Sequence, residues 1–99
     1  MNAKEELFKV LKMQQAHIVA AQITIQGQNF ILYKDYKDED VLLFHLFIDQ
    51  DYDQGYGEQQ LTGYVWLSDG SWLQRQSYDG SEYWIHNKIP TIPTQETTP

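Results

Sequence analysis

The sequence predicts an α+β domain: an N-terminal amphipathic helix packed on a small antiparallel sheet, built from an N-terminal hairpin and a C-terminal three-stranded meander. Three observations predict it. Leu7, Phe8, Val10, Leu11 and Met13 recur at helical spacing near the start of the chain. β-Branched and aromatic residues alternate with polar ones over residues 18–33 and again over 62–87. Two Asp-Gly-Ser turns, at Asp69-Gly70-Ser71 and Asp79-Gly80-Ser81, divide the second stretch.

The first element spans residues 3–15. Asn2 and Glu5 have the N-cap and N3 spacing of a capping box ahead of the apolar repeat. Strand character follows from Ile18 to Ile25, and Gln26-Gly27-Gln28-Asn29 supplies turn chemistry before Phe30-Ile31-Leu32-Tyr33. Residues 39–48 form a second short helix or a strand, because the run Val41 to Ile48 has no decisive period. The acids Asp38, Glu39 and Asp40 tip the reading towards a helix, whose N-terminus favours negative charge.

Residues 49–60 hold no aliphatic side chain and read as an exposed loop. Strands at 62–68, 71–78 and 81–87 complete the meander. If both Asp-Gly turns are two-residue turns, Tyr64 faces Arg75, Arg75 faces Trp84 and Leu73 faces His86. That register puts Val65, Leu67, Trp72, Tyr83 and Ile85 on one face. Tyr64, Trp66, Leu73, Arg75, Glu82, Trp84 and His86 share the other, with Arg75 in a cation–π sandwich between Tyr64 and Trp84. Ninety-nine residues suffice for one core, so residues 1–89 are read as a single domain and the proline-rich segment 90–99 as an extended tail.

Charge narrows the function more than any motif does. The net charge is −7, and the segment from Asp35 to Glu58 holds eight acids against the single base Lys37. A negative field so localised disfavours direct contact with nucleic acid or a membrane and favours a protein with a basic surface. The absence of cysteine fits a reducing compartment, and no stretch reads as a leader or a membrane span, so a cytoplasmic location is expected.

Asp49-x-Asp51-x-Asp53 resembles the opening of an EF-hand calcium loop. The resemblance stops there, since Gln54 stands at the glycine position and Gln60 at that of the bidentate Glu. Weak calcium binding through the three aspartates is therefore one alternative. Of the histidines, His17 shares no ligand spacing with the others, His45 sits among apolar residues as a core histidine would, and His86 is the better candidate imidazole. No nucleophile motif, phosphate loop or cofactor fingerprint accompanies it.

The leading expectation is thus a small acidic protein-binding module without a cofactor. Its sharper form is an inhibitor that occupies a nucleic-acid-binding surface by mimicking DNA, as phage or mobile-element inhibitors do. The residues expected to meet the partner are Asp38, Glu39, Asp40, Asp49, Asp51, Tyr52, Asp53, Tyr56, Glu58, Trp66, Arg75 and Trp84. A small-ligand protein or enzyme using an aromatic pocket with Arg75 and His86 is the second class. An exposed aromatic face or a free sheet edge would equally serve a homodimer.

Overall fold

A computed structural model of the chain describes residues 2–52, 59–78 and 81–89. The proline-rich segment 90–99, Asp53, Tyr56, Glu58 and the turn Asp79-Gly80 lie outside the described residues.

Helix α1 spans Ala3–Leu11, and the Asn2 side chain accepts from the Glu5 N–H at 3.0 Å as the cap spacing predicts. It stops four residues before the predicted end at 15. Met13 is 81% exposed, so a longer helix would bury nothing there, while the chain is tied down beyond it. His17 and Ser68 exchange two bonds, His17 N–H to Ser68 Oγ at 3.1 Å and Ser68 N–H to His17 O at 2.8 Å.

Strands β1 (Ile18–Ile25) and β2 (Gln28–Leu32) form the first hairpin. Gln26 and Gly27 both have positive φ, 51° and 85°, the signature of a type I′ turn. Residues 38–48 resolve as a helix, α2 (Asp38–Ile48). Asp38, Glu39 and Asp40 occupy its first turn, and the Asp40 carboxylate accepts from the Lys37 N–H at 2.9 Å. Local charge and capping therefore settle what periodicity left open.

Strands β3 (Leu61–Leu67), β4 (Trp72–Tyr78) and β5 (Ser81–Asn87) form the meander. Pairing of β1 with β3 joins it to the hairpin in one antiparallel sheet of order β2-β1-β3-β4-β5. The β4–β5 register is the expected one, with Arg75 opposite Trp84 and Leu73 opposite His86. The β3–β4 register differs by one residue: Val65 faces Leu73, and Tyr64 faces Gln74 rather than Arg75. The connection has three residues rather than two. Leu67 N–H bonds Ser71 O at 2.9 Å, and Gly70 takes φ +86°, as in a type I turn closed by a left-handed glycine.

That single step reassigns both faces. Leu61, Val65 and Leu67 now share the covered side with Leu73, Arg75, Glu82 and Trp84, while Tyr64 and Trp66 move to the open side. Ala21, Ile23, Ile25 and Leu32 from the hairpin, Ala3 and Leu7 from α1, and Phe44 and Ile48 from α2 complete the core. Phe30 of β2 packs on Phe44 and Phe47 of α2, with ring centroids 6.0 and 5.2 Å apart. At the centre of the sheet Gly63 takes φ +142°, and a Cβ there would lie 2.1 Å from the Gln22 carbonyl oxygen. Only glycine lets β3 approach β1 so closely.

Candidate functional site

Three groups of side chains stand out, and they differ in exposure. The first is a buried polar cluster tying α1 to the meander. Arg75 Nη1 donates to Glu6 Oε2 at 2.9 Å, Nη2 lies 3.6 Å from Glu82 Oε1, and Nη2 also donates to the Tyr52 hydroxyl. Tyr52 in turn donates to Glu6. The guanidinium sits 5.3 Å from the Tyr52 ring centroid and 5.4 Å from that of Trp84, so the sandwich forms with Tyr52 in place of Tyr64. Burial pushes the Tyr52 phenol far above its ordinary pKa, the Glu6 hydrogen bond adds to this, and the Arg75 charge opposes it. Glu82 also accepts from the Gln60 and Leu61 N–H groups at 3.2 and 3.3 Å, which fixes the start of β3. Tyr52, Arg75 and Trp84 are thus buried and hold elements together.

The second group lies on α2. Its buried side carries Phe44 and Ile48, one turn apart, and its outer side carries Leu42, Leu43 and Leu46, which are 61, 53 and 65% exposed. Asp38 and Glu39 are exposed at the N-terminal end, and Asp49 and Asp51 are exposed just past the C-terminal end. A shallow groove of about 390 Å³ runs between them, floored by Val41, Leu42 and Leu46 and bounded by Asp38, Asp49, Lys4 and His45. Asp38 and Asp49 stand about 16 Å apart at the helical rise. Asp49 accepts from Asn2 Nδ2 at 3.1 Å, which orients one carboxylate oxygen towards the start of α1. The exposed leucines were not legible beforehand, because an apolar run without a decisive period does not say which side is covered.

The third group is the open side of the sheet. Strand alternation places Tyr64 and Trp66 of β3, Trp72, Gln74 and Gln76 of β4, Tyr83 and Ile85 of β5, Gln22 of β1 and Ile31 of β2 there. Tyr64, Trp66, Tyr83 and Ile31 are each about two-fifths exposed, and the Tyr64 and Trp66 rings stack with centroids 5.9 Å apart. Every described side chain on this side is uncharged.

His86 bonds the Ser71 hydroxyl at 2.9 Å, and Ser71 donates through both its hydroxyl and its N–H to Asp69, holding that carboxyl below its ordinary pKa. The serine proton is directed at the carboxylate rather than at the imidazole, the reverse of an activated nucleophile. His45 packs between Phe8 and Phe44. Among the described residues no group of three or more His, Asp or Glu side chains is placed to hold a metal ion, and no helix is long and apolar enough to cross a membrane.

Of the residues expected to meet a partner, Asp38, Glu39, Asp49 and Asp51 lie at the surface around α2, Asp40 caps that helix, and Trp66 lies on the open side of the sheet. No protein-family profile, curated protein or solved structure matches the chain.

Proposed function

We propose that this chain is a small acidic protein-binding module that docks a partner with a basic surface on the outer face of α2. The observation that carries the reading is the three exposed leucines, Leu42, Leu43 and Leu46, set between exposed acids at both ends of one helix. Exposed aliphatic side chains on a rigid element supply contact area, and the surrounding carboxylates raise the rate of encounter with a cationic surface. In its sharper form the partner is a nucleic-acid-binding protein, and the carboxylates occupy the place of phosphates, as in an inhibitor that mimics DNA.

The alternative pocket built on Arg75 and His86 draws less support, since Arg75 is engaged by Glu6 and His86 by Ser71. The reading is tested by comparing the tagged wild type with Asp38→Asn/Glu39→Gln and with Leu42→Ser/Leu46→Ser in pull-downs from the source cell's lysate. A basic protein should be retained by the wild type, its association should slow on the order of tenfold in the charge variant, and retention should be lost in the leucine variant. Equal retention by all three would overturn the reading.

A further inference from the structure

The open side of the sheet is a second surface with a different chemistry, and we propose that it pairs face to face with the same surface of a second copy of this chain. Each copy carries a net charge of −7, so two copies repel wherever acids would meet. Self-pairing through α2 would set Asp38, Glu39 and Asp49 against their own equivalents. The open side of the sheet, by contrast, carries no charged side chain among the described residues, so two copies can meet there without placing like charges in contact.

Its residue types also suit self-complementarity. In a two-fold contact each residue meets a nearby residue of an identical surface. Gln74 and Gln76 carry amides that both donate and accept, so identical side chains can satisfy one another. Tyr64, Trp66, Trp72 and Tyr83 supply rings that prefer offset or tilted contact with other rings.

The area is of the right order. Five strands about 4.8 Å apart, each about seven residues long at about 3.3 Å per residue, span roughly 550 Å² in projection before the pleat and side chains are counted. A stable interface buries about 800 Å² on each partner. Sheets packed face to face lie about 10 Å apart with interdigitated side chains, which half-exposed aromatic rings allow.

The test is sedimentation velocity from low to high micromolar concentration on the full chain. The wild type should move from the mass of a monomer towards twice that mass as concentration rises. Gln74→Glu/Gln76→Glu places acids on the face of both copies and should weaken the dimer by at least about tenfold. Gln74→Lys/Gln76→Lys should be monomeric alone, and an equimolar mixture of the two variants should restore a dimer. That rescue also shows that both variants are folded.

Three results would overturn the proposal. One is a wild type that stays monomeric throughout, including a monomer whose tryptophan fluorescence responds to a neutral oligosaccharide and so assigns the face to a glycan. Another is a dimer that persists in the mixed and unmixed variants alike. The last is a dimer abolished by Leu42→Ser/Leu46→Ser, which would move the contact to α2. Loss of partner binding in that leucine variant with dimerisation intact separates the two surfaces.

Discussion

Tyr52 shows how one side chain couples burial, charge and pH. Its phenol bonds both Glu6 and Arg75, and its pKa lies far above the ordinary 10.0. A group harder to ionise when folded contributes stability that is complete below its unfolded pKa and is lost as pH rises above it. Tyr52→Phe keeps the ring against Arg75 but removes the hydroxyl, leaving Glu6 and Arg75 with fewer partners. It should cost about 1–3 kcal/mol at neutral pH, and the gap from wild type should narrow above pH 10. Urea unfolding at neutral and alkaline pH measures both, and a constant gap would contradict the assignment. The cation–π sandwich around Arg75 was half legible in the sequence. Trp84 sits opposite Arg75 across a hairpin whose turn length was read correctly. Tyr52 reaches the cluster from a loop 23 residues away, a proximity that no strand register predicts.

At the scale of elements, two glycines in β3 and its turn do different work. Gly70 needs only its positive φ, since nothing lies within 4 Å of the position a Cβ would take. Gly63 needs both its φ and the absence of a side chain, because backbone atoms of Gln22 and Ile23 occupy that position. Gly70→Ala should therefore cost about 1–2 kcal/mol. Gly63→Ala should cost clearly more, since strain of roughly 1–3 kcal/mol is compounded by displacement of β1 from β3. Thermal or urea melts of the two variants rank them, and equal losses would refute the close approach at Gly63.

The elements themselves follow from local chemistry: Asn2 caps α1, Gly27 turns the first hairpin, and acids open α2. The β3–β4 register was missed because Asp-Gly-Ser suits two turn lengths. Here Asp69 accepts from Ser71 and Gly70 closes a three-residue loop. The alternation of Leu61, Val65 and Leu67 held the missing signal, since only the shifted register sets Leu73 beside Val65 on the same face.

The whole molecule presents two surfaces with different electrostatics, one acidic and one uncharged among the described residues. The outer face of α2 is rimmed by carboxylates, and the open side of the sheet carries no charged side chain among the described residues of a chain whose net charge is −7. Salt should therefore act on them in opposite directions. Screening weakens attraction between α2 and a cationic partner but relieves repulsion between two acidic copies. Repeating the partner and self-association measurements at low and high ionic strength should show the first slowed and the second unchanged or strengthened. A common weakening would mean that charge drives both.

The buried cluster has one more consequence. Tyr52 is held by Arg75, and the Gln60 and Leu61 N–H groups by Glu82, which pairs with Arg75, so one ion pair anchors two separate stretches of the chain. Neutralising Glu82 should therefore loosen Tyr52 and the start of β3 together, since both hang on one ion pair.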